Sequence, residues 1–250
     1  MSDQIVLRFR EQRLERDEQG YLSWRIHEGP QSLPARETAL LLCDVWDTHW
    51  CRGAVERLDR MLPRMNDVVK SARAKGILIV HAPSDTMDFY RESPARQRVL
   101  EVTPVEPPAE KPHDDPPLPI QWAAGGCDTD NNSGGPHARV WTRQHPTIEI
   151  DHDRDVISED GRELYSFYRQ RGISNLLIAG VHTNACVLGR TFAIKQMVKW
   201  GLVVALIRDL TDCLYVPDLP PYVTHEEGTQ LMVAFIEKLW CPTISSEDLL

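Results

Sequence analysis

The chain has 250 residues, 28 basic and 37 acidic, and a formal net charge of −9. That balance, with no compact Lys/Arg stripe, argues against nucleic acid or an anionic membrane surface as a partner. The length suits a single α/β domain with one sizeable core, and 42% hydrophobic with 26% charged residues excludes wholesale disorder.

The first segment, MSDQIVLRFREQRLERDEQG, is polar almost from the start and lacks the apolar core of a signal peptide; a cytoplasmic location is the default expectation. No apolar run is long enough for a bilayer span. Ile5 to Arg10 and Tyr21 to Ile26 alternate polar and apolar residues around a Gly20 turn, which predicts a β-hairpin. Residues 1–33 are therefore read as an N-terminal arm, available for pairing with a second subunit. Residues 34–250 are read as the α/β domain.

Four short apolar runs follow: Thr38 to Asp44, Gly76 to His81, Asn175 to Gly180 and Leu202 to Ile207. Such runs fit strands covered on both faces, as in a parallel sheet. Helical segments are expected over about 54–74, 162–171, 185–200 and 225–239. Asp160 with Glu163 and Thr224 with Glu227 can form capping boxes, and Gly76 and Gly172 stand where helices should stop. The pattern predicts a Rossmann-like parallel sheet with helices on both faces. The rhythm breaks over 102–145, a Pro-, Gly- and Asp-rich stretch too long for a routine connection, which is expected to close over a pocket and carries Trp122, Cys127 and His137.

Six cysteines, Cys43, Cys51, Cys127, Cys186, Cys213 and Cys241, are scattered without a CxxC pair. A disulfide scaffold and a zinc knuckle are both disfavoured, and a typical member of the set is expected to be a small buried hydrophobe. His49, His81, Asp47, Asp85 and Asp88 match no tight metal spacing, and neither a G-x-G-x-x-G after the first strand nor a P-loop occurs. No metal and no cofactor are expected.

Ligands of an open parallel sheet sit beyond the carboxyl ends of its strands. Asp44 ends the first run, His81 the second, and Gly180-Val181-His182-Thr183-Asn184-Ala185-Cys186 follows the third. Cys186 is expected in the first turn of a helix capped by Thr183 or Asn184, where amide N–H groups and the helix dipole favour a thiolate. Asp44 is then the carboxylate that takes a proton and delivers it to a departing amine. His81 is expected in the wall of the substrate pocket.

The segments ALLLCDVWDTHW, GILIVHAPS, NLLIAGVHTNACVLGRTFAIKQM and VVALIRDLTDC, with the later His225, resemble the isochorismatase-like cysteine hydrolases, the group that includes nicotinamidases. The most specific element is the G-V-x-T-x-x-C-V pattern at 180–187, about 140 residues after the strand-end aspartate. The resemblance covers about 38–239. It implies a small-molecule substrate, hydrolysis at a small amide or related C–N bond, and homo-oligomeric assembly. It implies Cys186 as nucleophile, Asp44 as catalytic acid, and a cis peptide between Val181 and His182 beside an oxyanion hole. Trp46, His49, His81 and Trp122 are expected to line the pocket. One departure stands out: the family's catalytic lysine has no counterpart in TIEIDHDRDVISEDGREL, where Ser158 falls near the matching place. A binding or scaffold protein that kept the fold and lost the catalytic set is therefore the competing reading.

Overall fold

A computed structural model describes residues 4–121, 126–130, 135 and 138–250. The sheet has eight strands in the order β2-β1-β8-β7-β6-β3-β4-β5. Its centre is β3 (Thr38–Cys43) beside β6 (Asn175–Val181), both buried along their whole length and paired in parallel. Continuous apolar sequence produces this arrangement because both sheet faces are covered. β4 (Leu78–Ala82) and β5 (Val156–Ile157) extend the parallel sheet on one side; β7 (Val203–Asp212) and β8 (Thr243–Ile244) extend it on the other. The two-residue strands β5 and β8 are too short to leave a run in the sequence.

Alternate residues of the central strands feed two cores. One face packs Leu41, Ile178 and Leu206 against α3 (Gly161–Arg171), α5 (Ile194–Lys199) and α6 (His225–Leu239). The other packs Leu40, Leu177 and Ala205 against Leu62, Met65 and Val69 of α1 (Arg52–Ala74). A further short helix, α2 (Pro94–Leu100), lies beside β5. The expected caps are present. Asp160 accepts from the amides of Arg162 and Glu163, although the Glu163 side chain turns instead to Arg96 and Ser158; Thr224 and Glu227 form a complete reciprocal box.

The hairpin of β1 (Gln4–Arg16) and β2 (Leu22–Pro34) is only half an arm. Ile5, Leu7 and Phe9 are buried in the α1-side core, and Arg10 pairs with Thr243 of β8. Arg10 and Gln12 also reach the buried Glu237 carboxylate at 2.7 and 2.8 Å. Beyond that point the strands project, with Leu14, Leu22, Trp24 and Ile26 exposed. Among the described residues no helix is long and apolar enough to cross a membrane.

The single helix expected over 185–200 is two pieces, α4 (Cys186–Gly189) and α5. Arg190 is extended, with ψ 154°, and the turn that follows packs closely on α3: the Gly161 amide donates to Thr191 Oγ1 at 3.1 Å. Helical periodicity runs through this break because both pieces bury residues on the same core.

His81 is fully buried, but it does not line the predicted pocket. Its Nδ1 lies 2.9 Å from Gln144 Oε1 and its Nε2 3.0 Å from Asp155 Oδ2, while Arg73 holds the same carboxylate through Nε and Nη2 at 3.0 and 2.6 Å. A buried strand-end histidine must satisfy two ring nitrogens, and here structural partners take both. Burial pushes the Asp155 carboxyl upward, yet the hydrogen bonds from His81 and Arg73 outweigh it and hold it at about 2, below the ordinary 3.8.

Because that folded value is depressed, the stabilisation is present above the ordinary carboxyl range and is lost as pH falls from about 4 to about 2. Asp155→Asn is expected to lose about 2 kcal/mol near neutrality and to flatten the acid limb of stability. Urea unfolding at pH 7 and pH 3 measures this; wild type and variant curves offset equally at both pH values would contradict it.

Candidate active site

The carboxyl ends of β3, β4, β5 and β6 meet at one edge, and the site is built there. Asp44 follows β3 with φ 50°, a left-handed turn that drops its side chain into the interior, where it is wholly buried. Its Oδ1 accepts the Ser84 amide at 2.7 Å, and its Oδ2 lies 3.1 Å from Arg190 Nε. Gly180 of β6 lies so close to β3 that a Cβ would sit 2.0 Å from the Cys43 carbonyl oxygen, and its φ is 121°; only glycine fits. That close approach sets the β6 end beside Asp44.

After β6 the Val181–His182 peptide is cis. Thr183 and Asn184 do not cap the helix as expected: Thr183 Oγ1 pairs with Thr211 Oγ1 at 2.7 Å, and Asn184 brackets the backbone of Leu214 with two 2.9 Å bonds. Ala185 occupies the cap position without a side-chain bond. These contacts tie the loop to the end of β7 and leave Cys186 at the start of a helix of one turn.

Asp44 and Cys186 are brought together, close enough for each to shift the other's titration. Here the electrostatics depart from expectation. Burial, then the charge of Asp44, push the Cys186 thiol well above its ordinary value, against the lowering effects of Arg190 and the His182 amide. A one-turn helix has too few aligned peptides to reverse this. The resting sulfur is a neutral thiol, and it needs a base. The Asp44 carboxyl is itself raised by burial, offset in part by Arg190, Cys186 and Ser84.

Cys186 opens onto a cavity of about 400 Å³ whose walls include Trp46, His49, Trp50, Trp141, His182 and Arg190. Trp46 stacks on Trp141 with ring centroids 4.0 Å apart, and both indole N–H groups donate to the Ser84 carbonyl at 3.0 and 3.2 Å. His49 meets His182 edge-on at 4.9 Å. Burial holds the His182 imidazole down at about 4, so it is neutral near pH 7. Of the expected wall residues, Trp46 and His49 line the cavity, His81 is outside, and Trp122 lies outside the described residues, as does His137; His182, expected at the cis peptide, also lines the wall. Trp141, Leu214 and Arg190 are additional. Arg190 had a readable signal, since a residue four after Cys186 falls one helical turn on.

The long insertion is fastened to this wall by a disulfide between Cys51 and Cys127, with Cα atoms 5.4 Å apart, which corrects the expectation of free thiols for this pair. Cys43, Cys213 and Cys241 are buried and free, as expected. The attachment is reinforced where Thr129 Oγ1 accepts the Gly53 amide at 2.8 Å and Arg57 grips Asp128 at 2.7 Å. Cys51, Cys127 and Asp128 could also gather a metal ion by proximity, but the two sulfurs are bonded to each other.

The isochorismatase domain model matches residues 38–215. Among solved structures, a cysteine hydrolase from Pseudomonas syringae pv. phaseolicola 1448A superposes with a TM-score of 0.52 at 15% identity, covering 87% of this chain and 92% of that one. An isochorismatase from Pseudomonas putida KT2440 gives 0.51 at 11% identity, covering 86% and 91%. At these identities the likeness is one of fold. No curated protein matches the chain.

The disulfide closes a separation of 76 residues, so replacing Cys51 and Cys127 together by alanine is expected to lower stability by about 2–4 kcal/mol. Equal denaturant midpoints for wild type and the double variant would contradict this. By the match over most of its length and by its sheet, the chain belongs to the isochorismatase domain family and has that family's hydrolase fold.

Proposed function

We propose that the protein is a cysteine-dependent hydrolase of a small amide or related C–N bond. The observation that carries this reading is the placing of a wholly buried carboxyl, Asp44, beside the Cys186 thiol where that thiol opens onto an aromatic cavity. A raised thiol beside a carboxylate suits a sulfur deprotonated only as it attacks.

The steps follow from that pair. Cys186 Sγ attacks the substrate carbonyl carbon while its proton passes to Asp44, and the carbonyl electron pair moves to oxygen. The backbone N–H groups of His182 and Cys186 are assigned to that oxyanion. The oxyanion collapses, the C–N bond breaks, and the amine leaves with the proton from Asp44. Water then loses a proton to Asp44 and attacks the thioester. The C–S bond breaks, the acid is released and the thiol is restored. The stacked Trp46 and Trp141 pair and the neutral His182 form a wall suited to a compact, largely apolar acyl group. The Cys51–Cys127 disulfide favours an oxidising compartment over the cytoplasm. The exposed Leu14, Trp24 and Ile26 on one face of the hairpin support self-association through that tip.

The second reading, a ligand-binding protein without turnover, is favoured by Ser158 standing after β5 where the resemblance expects a lysine. The two are separated with a panel of small primary amides, C186A and D44N, and mass spectrometry after iodoacetamide. Turnover abolished by C186A and reduced about 10²–10⁴-fold by D44N is expected, with an adduct on Cys186. Turnover that survives C186A, or an inert Cys186 with no turnover, would sink the hydrolase reading. For the assembly, W24E/I26E is expected to lower the light-scattering mass, and an unchanged mass would count against the hairpin tip as an interface.

A further inference from the structure

We propose that Arg190 is the charge-setting residue of this site, a positioning residue that acts through Asp44 from the turn after α4. The inference rests on reading Asp44 and Cys186 as proton carrier and nucleophile, and it addresses what stands in for the lysine. After β5 the chain offers Ser158, whose hydroxyl donates to Glu163 and so turns away from the site. The cation at Asp44 comes from another element: Arg190 Nε is 3.1 Å from Oδ2, and Nη2 is 3.8 Å from an Asp85 oxygen. The Arg190 amide donates to the Cys186 carbonyl at 3.0 Å, so one backbone turn holds both the sulfur and the counter-charge.

The surroundings of Asp44 make this cation decisive. Around the Asp44–Arg190 pair are Cys43 from β3, Ser84 and Asp85 after β4, Glu159 after β5, and Cys186 from α4. Every one of these is acidic or neutral. Glu159 also accepts the Asp85 amide, which packs the acids close together. Without Arg190 a buried carboxylate would stand among two further carboxyls and two thiols with no ionic partner in this set, and burial favours its neutral form. A protonated Asp44 cannot accept the thiol proton.

The direction of the effect follows. Arg190 works against burial in lowering the Asp44 carboxyl, and it also lowers the Cys186 thiol. Removing it raises Asp44, so the pH above which Asp44 is an effective base moves up. A guanidinium stays charged across the working range, so it adds no titration of its own at alkaline pH, whereas an amine would.

The test is the pH dependence of iodoacetamide reaction at Cys186 in wild type, R190Q and R190K, followed by mass, with far-UV circular dichroism to verify folding. R190Q is expected to move the acid limb up by about 1–3 pH units, and R190K to restore the limb near its wild-type position while adding an alkaline titration. Superposable limbs for wild type and R190Q would overturn the proposal. If R190Q does not fold, R190K decides: a profile with the added alkaline titration supports the role, and one identical to wild type overturns it. Because alkylation needs no substrate, a reactive wild-type Cys186 without amide turnover sinks the hydrolase reading alone. A wild-type Cys186 inert at every pH sinks both.

Discussion

A carboxylate with no solvent exposure constrains the whole edge of this sheet. Taking an ionised group out of water is expensive unless hydrogen bonds and an opposite charge compensate. Asp44 receives the Ser84 amide and the Arg190 guanidinium from two different segments, and the Cys186 thiol lies beside it. Each donor arrives at a fixed place because a strand end or a helical turn delivers it. Weakening that convergence raises the Asp44 carboxyl further, because Arg190 and Ser84 both lower it against burial.

The fold serves the convergence. β3 and β6 are in register from Thr38 with Asn175 to Cys43 with Gly180, and the bare Gly180 lets the two chains run close enough for their following loops to meet. Hydrogen bonds from Thr183 and Asn184 to the end of β7 fix the approach to Cys186. The insertion adds the outer wall: its disulfide to Cys51 anchors one end near Trp50, and Trp141 at the other end stacks on Trp46. The cavity is thus framed by rigid elements on the inside and by a tethered loop on the outside.

The parts legible in the sequence were those with a local cause. Continuous apolar runs gave away β3, β4, β6 and β7, and Thr224 with Glu227 marked the start of α6. The meeting of Asp44 and Cys186 at one edge was readable because strand ends of an open parallel sheet gather there. What escaped depended on tertiary partners. His81 has the same strand-end position as Asp44, yet Asp155 and Gln144 claim it, and nothing near 81 announces a partner more than 60 residues away. The break after α4 and the joining of Cys51 to Cys127 arise likewise from distant segments. The thiolate expected at a helix start failed for a physical reason: one turn of helix is weak against desolvation and an adjacent carboxyl.

At rest the sulfur beside Asp44 is held as a neutral thiol by burial and by that neighbouring carboxyl. Thiolate absorbance near the far-ultraviolet edge, titrated as the difference between wild type and C186A, reads the sulfur directly. The account predicts no difference signal through neutral pH and up to the ordinary thiol value of about 8.5. A thiolate appearing at Cys186 between about pH 4 and 7, the range of activated cysteines, would contradict it.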